Sequence, residues 1–274
     1  MSVTPSDKAA RFRALHQAPG AFIIANAWDA GSARIFAGLG FQAIATSSGA
    51  QAGTLGKRDG KVSRDEALAH CRGIVEAVDL PVSADLERGF GDTPEIVAET
   101  ILRAGEIGLA GASIEDAGAD RSKPVLDFAL SVDRVKAAVQ AARALGFPFV
   151  LTGRAEGLLR GQKDVDEIIK RLQAYESAGA DVLMAPGLPD LASVKKVCGA
   201  VTKPFNFMVG IPGKSFTVAE LQAAGVKRIS LATSLYKAAI TGAIDAAREA
   251  KDKGTFGYLD RSISMQDFNA FMRD

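Results

Sequence analysis

Pro81-Val82-Ser83-Ala84-Asp85-Leu86-Glu87-Arg88-Gly89-Phe90-Gly91 reads as a short apolar strand that opens into two alternating carboxylates and a glycine turn. Strand alternation sends Val82, Ala84 and Leu86 to one side and Ser83, Asp85 and Glu87 to the other. Two acids at the carboxyl end of a strand, just before a flexible loop, suit a hard cation such as Mg²⁺ held directly or through water. They also suit a solvated strand end, or an ion pair with Arg88. The rest of the chain decides what kind of strand this is.

Outward from that stretch, short apolar runs alternate with amphipathic helical patterns. Strands are predicted at 22–29, 42–47, 82–87, 112–115, 149–154, 182–185, 205–209 and 228–232. Helices are predicted between them, for example over 64–78, 94–107, 132–145, 165–178 and 217–224. Glycines at 40, 111, 179 and 225 mark the turns that lead from a helix into the next strand. Eight strand–helix units in about 250 residues is the arithmetic of a single (β/α)₈ barrel, a TIM barrel of the α/β class. No Gly-x-Gly-x-x-Gly follows a strand, which argues against an open dinucleotide-binding sheet. No linker divides the chain, so residues 1–274 read as one domain with a helical tail from about 234 to 274. That tail keeps Tyr258, Leu259, Ile263, Met265, Phe268, Phe271 and Met272, which must bury themselves under the barrel or against a neighbouring subunit.

Charge and cysteine usage narrow the class further. The 33 basic residues nearly cancel the 32 acidic ones, which argues against a nucleic-acid partner. No apolar run approaches a membrane span, and residues 1–13 lack the apolar core of a secretory signal. Cys71 and Cys198 stand alone and far apart, consistent with a reducing, cytoplasmic setting. His16 and His70 are too few for a histidine zinc site. His70 reads as a helix-surface residue, and His16 falls before the first strand, at the wrong end of a barrel. Gly210-Ile-Pro-Gly213-Lys214-Ser215 lacks the first glycine of a Walker loop at the required distance.

Barrel chemistry sits at the carboxyl ends of the strands. Trp28 ends the first strand, as a mouth-lining ring or a barrel plug. Ser48, Gly49 and Ala50 follow the second, with Asp59 in its loop; Asp85 and Glu87 end the third and Glu115 the fourth. Arg154 and Glu156 end the fifth, and Asn206 is expected at the end of the seventh, hydrogen-bonding substrate or satisfying neighbouring backbone. Four converging acids, Asp59, Asp85, Glu87 and Glu115, would repel unless a cation neutralised them. Without His or Cys nearby, that cation is Mg²⁺ or Mn²⁺. Arg154 then suits the carboxylate or phosphonate of an anionic substrate, and the amides of Ser48, Gly49 and Ala50 suit a small anion nest. Together these suit a small α-keto or α-oxy acid whose enolate is stabilised.

The order Ser48-Gly49, Asp59, Asp85-x-Glu87-x-Gly-x-Gly91, Ile114-Glu115-Asp116 and Thr152-x-Arg154-x-Glu156 resembles the phosphoenolpyruvate mutase/isocitrate lyase superfamily, in particular its phosphonomutase-like branch. The resemblance spans about the whole barrel. It implies a Mg²⁺-dependent barrel acting through a pyruvate enolate, in a dimer or tetramer that exchanges the last helix. It further implies that Asp85 contacts the metal, that Asp59, Glu87 and Glu115 hold its waters, and that Ser48, Gly49 and Arg154 bind the pyruvyl carboxylate. Arg154, Asp59 and Glu115 would then be the catalytic set. The sequence also departs from the family. The loop after the fourth strand, Ala117 to Asp127, carries neither the Lys-x-Cys-Gly-His of the lyases nor the asparagine of the phosphonomutases, and Glu87 replaces the usual second aspartate. In that loop Asp120, Arg121 and Lys123 are candidate proton-handling or closing groups, or simply parts of a short solvated loop, as its polar composition suggests. Expected functions are lyase-type C–C cleavage or decarboxylation, C–P chemistry as a phosphonomutase or phosphonopyruvate hydrolase, or a barrel that only binds a metabolite.

Overall fold

The computed structural model describes residues 3–120 and 122–273. Among these, eight parallel strands close into a barrel in chain order: β1 (Phe22–Ala27), β2 (Ile44–Thr46), β3 (Val82–Asp85), β4 (Gly111–Glu115), β5 (Val150–Arg154), β6 (Val182–Met184), β7 (Phe205–Met208) and β8 (Arg228–Ser230). Closure is made by β1 pairing with β8, with Phe22 opposite Arg228 and Ile24 opposite Ser230. The (β/α)₈ expectation is met.

The helices form the outer ring. They are α1 (Pro5–Gln17), α2 (Ala30–Gly38), α3 (Ser48–Thr54), α4 (Arg64–Ala77), α5 (Pro94–Glu106), α6 (Phe128–Ala144), α7 (Val165–Ser177), α8 (Leu191–Ala200), α9 (Val218–Ala223), α10 (Ser234–Arg248) and α11 (Met265–Asn269). Local chemistry starts several of them. Ser63 and Thr217 each make a reciprocal capping box with the glutamate three residues on, fixing the starts of α4 and α9. The apolar faces of α4 and α5 meet β2–β4 in one core that includes Leu68, Ile74, Val97 and Ile101. Those of α7–α9 meet β6–β8 in another that includes Ile168, Leu172, Val194 and Leu221. α1 plugs the amino-terminal end of the barrel with Ala9 and Phe12, against Ile24, Ala43 and Val150.

The last helix behaves differently. α10 contains no buried residue, and Ile240 and Ile244 are 40% and 44% exposed. Beyond it Leu259, Ile263 and Met265 are likewise open to solvent. Among the described residues beyond α10, the chain end turns back: the Phe271 ring lies where a side chain on Gly38 of α2 would project, and Arg273 pairs with Asp79 at 3.1 Å. The apolar tail is therefore not buried under its own barrel.

Candidate active site

β3 delivers its acid as expected, then departs from the alternating pattern. Asp85 ends the strand and faces the barrel mouth, held by two amides and one hydroxyl. The amide of Ser48 donates to its Oδ2 at 3.2 Å and that of Glu87 to its Oδ1 at 3.2 Å. Its own amide donates to Thr46 Oγ1 at 3.0 Å. Glu87 is not on the strand. Its φ is +51°, a left-handed conformation, and its carbonyl accepts from the Glu115 amide at 3.0 Å. That conformation, fixed by two hydrogen bonds, aims Glu87 toward the loop of Asp59; a side chain on Gly60 would lie 3.9 Å from its Oε2. Arg88 pairs with Asp92 and not with either acid, so the simple ion-pair reading of this stretch falls away.

β4 and β5 bring the arginine into the acids. Arg154 Nε lies 2.5 Å from Glu156 Oε1 and 3.3 Å from Glu115 Oε2, and Nη1 lies 3.7 Å from Asp85 Oδ1. Arg160, on the turn after β5, approaches the same Glu115 and Glu156 at 3.8 and 3.7 Å. Burial opposes the charge of Arg154, but Glu115, Glu156 and Asp85 together hold its pKa above the ordinary arginine value. Glu156 is positioned from behind. Its amide donates to Asp116 Oδ1 at 2.7 Å, while Asp116 Oδ2 accepts from Tyr175 Oη at 2.7 Å and Arg171 Nη1 at 3.1 Å.

The acids carry more charge than the arginines neutralise. Burial, with Asp85 and Asp59 close by, pushes Glu87 up to about 7. Burial, resisted by Arg154 and reinforced by Glu156 and Asp85, pushes Glu115 up to about 8. All four predicted acids thus gather on one side of the mouth. Asp59, Asp85 and Arg154 line a cavity of about 290 Å³ that also takes in Ser48, Gly49 and Asn206.

A divalent cation fits this donor set, which is all hard oxygen without imidazole or thiolate in the cavity wall. Among the described residues no three such side chains stand close enough to ligate one ion directly.

Several predicted residues lie elsewhere than expected. Ser48, Gly49 and Ala50 form the first turn of α3 rather than an open nest. Ser47 Oγ accepts from the Ala50 amide at 3.4 Å, Asp85 takes that of Ser48, and Ala50 is outside the cavity wall. Asn206 sits near the start of β7, not its end, and so lies deep in the barrel, where it donates to Ser230 Oγ at 3.1 Å. Trp28 packs edge-on against Phe36 of α2 and Tyr236 of α10, outside the cavity wall rather than as a plug of the barrel, and His70 is part-buried with Nε2 2.6 Å from the Trp28 carbonyl. Burial pushes the thiols of Cys71 and Cys198 up to about 12, so both are packing groups. In the loop after β4, Ala117 makes an isolated antiparallel bridge with Val125 and Asp120 accepts from the Ser122 amide and hydroxyl; Arg121 lies outside the described residues. Glu156, Arg160 and Arg228 received no role from the sequence. Arg228 and Ser230 share a strand face by their spacing, but that spacing does not say which face points inward.

The sequence model of the phosphoenolpyruvate phosphomutase family matches residues 12–251. The chain belongs to that family. Among relatives of this phosphomutase-family protein, the 2-methylisocitrate lyase of Escherichia coli K12 is 32% identical over 226 residues, covering 79% of this chain and 75% of that enzyme. The 2,3-dimethylmalate lyase of Eubacterium barkeri is 28% identical over 96% of this chain and 93% of the lyase. A solved structure from Burkholderia cenocepacia J2315, provisionally described as a lyase/mutase, superposes with a TM-score of 0.95 at 47% identity, covering 97% of this chain and 96% of that one. The family thus contains both lyases and mutases, and the phosphoenolpyruvate mutase/isocitrate lyase resemblance holds.

Proposed function

We propose that the protein is a Mg²⁺-dependent lyase that cleaves or decarboxylates a small α-keto or α-oxy carboxylate through a pyruvate enolate. The observation that carries this reading is the surplus of buried carboxylate around Arg154, with Glu87 and Glu115 both raised toward neutrality. Such a cluster is built to receive positive charge. Asp85 would hold the metal, with Asp59, Glu87 and Glu115 on its waters, and the bound ion would stabilise the negative charge of the enolate as a Lewis acid. Arg154, fixed by Glu156, grips the pyruvyl carboxylate beside the amide of Gly49, the Ser48 amide being taken by Asp85. Neither Cys nor His lines the cavity, so no side chain of the lyase type is present there to exchange a proton with the product carbon. A reaction that needs only enolate stabilisation and a proton from water suits that wall.

C–P chemistry is the second reading, favoured by the phosphomutase match over 12–251. Incubation with phosphonopyruvate followed by phosphorus NMR separates the two. An unmoved phosphonate resonance, with pyruvate formed from a panel of oxaloacetate-like and malate-like acids, is expected. A shifted resonance would replace the lyase reading with C–P chemistry, and no turnover in either assay would leave a metabolite-binding barrel.

Because Glu87 and Glu115 hold protons near neutrality, Mg²⁺ must displace them. Mg²⁺ affinity should therefore rise about tenfold or more from pH 6 to pH 8 and level off above about 8. Calorimetry in two buffers of different ionisation enthalpy should report proton release. Affinity that is flat with pH and releases no protons would contradict the raised carboxyls.

The solvent-facing apolar residues of α10 and the tail support an assembly of identical subunits that covers them. Sedimentation should show a dimer or tetramer, and the pair Ile240→Glu and Ile244→Glu should shift it toward monomer. A monomeric wild type at micromolar concentration would contradict this.

A further inference from the structure

The barrel contains a second arginine that the enolate chemistry does not use. Arg228 opens β8, is 4% exposed, and lines the floor of the same cavity. Its Nε donates to Asn206 Oδ1 at 2.9 Å and its Nη2 to Thr152 Oγ1 at 3.1 Å. Its Nη1 lies 3.4 Å from His16 Nε2, and the guanidinium sits 5.9 Å from the Phe12 ring centre. His16 Nδ1 is 2.8 Å from the Phe12 carbonyl, so the ring donates there and offers the Nε2 lone pair to Arg228. Burial and the neighbouring Arg228 hold His16 down at about 3, so it is neutral.

Every partner of Arg228 is therefore uncharged. Where Arg154 sits among three carboxylates, Arg228 has no ion pair among the described residues. Burial, with no acid to offset it, pushes Arg228 down to about 9, which still leaves it charged at neutral pH. A guanidinium has five N–H donors, more than the acceptors found here satisfy. A buried charge without a counter-ion is costly, and a well-packed apolar residue would avoid that penalty. The wall above it is also polar. Ser83, Ser113 and Ser230 line the cavity where barrel interiors are normally filled by branched apolar layers.

We propose that the cavity floor is an anion subsite in which Arg228, oriented by Asn206, Thr152 and His16, binds a carboxylate-sized anion. Resting on the proposed function, the source is the distal carboxylate of a dicarboxylate whose keto-acid end lies at Arg154. Thr152 and Arg154 are two residues apart on β5, so the two levels are separated by about 6–7 Å along the strand, a span suited to a short diacid. A free small anion is the other source of the same chemistry.

Calorimetry with Mg²⁺ present compares 2-oxoglutarate with 2-oxopentanoate, which share the keto-acid end and differ in carboxylate against methyl. Wild type should bind the diacid about tenfold tighter or more. Arg228→Met should erase that preference while leaving oxalate, too short to reach the floor, within about twofold of wild type. A parallel melting series compares formate with gluconate at equal ionic strength. If the source is a free anion, formate alone raises the wild-type Tm, the rise is absent in Arg228→Met, and the diacid gains nothing. Equal binding of the keto-acid pair with no formate-specific stabilisation overturns the proposal, as does a diacid preference that survives Arg228→Met. Should Arg228→Met fail to fold, the near-isosteric Thr152→Val should weaken the diacid about two- to fivefold with oxalate unchanged, and no loss would overturn the proposal. Failure of oxalate to bind wild type would sink the enolate reading, leaving the formate series to decide the subsite.

Discussion

Asp85→Asn is expected to remove Mg²⁺-dependent ligand binding, by about a hundredfold or more, while the barrel stays folded. The substitution keeps an oxygen for the Ser48 or Glu87 amide, so the local backbone has a partner. What it deletes is the one acid assigned to direct contact with the ion. It also removes a negative charge that raises both Glu87 and Glu115, so their pKa values should fall. Without Mg²⁺ the variant should melt no lower than wild type, because a repulsive member of the cluster is gone. Binding titrations and melting curves read these effects separately. A variant that melts normally and binds Mg²⁺ and ligand as wild type does would remove Asp85 from the metal site.

Arg154→Leu is expected to destabilise the protein by about 3–5 kcal/mol in alkaline solution, because it strands Glu115, Glu156 and Asp85 without their shared cation. The sign of the pH dependence follows from the raised carboxyls. A glutamate whose folded pKa lies above its unfolded value contributes stability below the unfolded value, and loses it as pH rises through the folded value. For Glu115 that loss spans roughly pH 4.5 to about 8, and losing Arg154 extends it upward. The deficit should therefore shrink as pH falls toward 5, and saturating Mg²⁺ should restore part of it. Arg154→Lys keeps the charge but loses the planar fork, and should weaken ligand by about tenfold or more with a smaller stability loss. Urea unfolding at pH 5 and pH 9 checks the first claim. Equal destabilisation at both would show that Arg154 acts by packing alone.

The fold was legible because it rests on local signals that repeat. Glycines close the helices, apolar runs too short for helices follow them, and eight such units leave little choice but a closed parallel sheet. The cluster was legible because Asp85, Glu115 and Arg154 end their strands, where barrel sites lie. The misplacements have tertiary causes. Alternation carried Glu87 along a strand that stops at Asp85, since nothing local in a glutamate announces a positive φ imposed by hydrogen bonds to Asp85 and Glu115. Asn206 was read at a strand end, but pairing with Arg228 places it in a deeper layer, and that register depends on the neighbouring strand. Arg228 opens the predicted eighth strand, and alternation alone leaves open which side it faces. Its inward orientation follows from closure of β8 onto β1, which no local pattern displays.

If the buried acids and Arg154 form a working enolate site, an enolate mimic binds there through Mg²⁺. Calorimetric titration of oxalate, a planar mimic of the pyruvate enolate, with and without Mg²⁺ tests it most directly. Tight binding that appears only with Mg²⁺ is the predicted result. Absence of binding in both conditions, or equal binding in both, would contradict it.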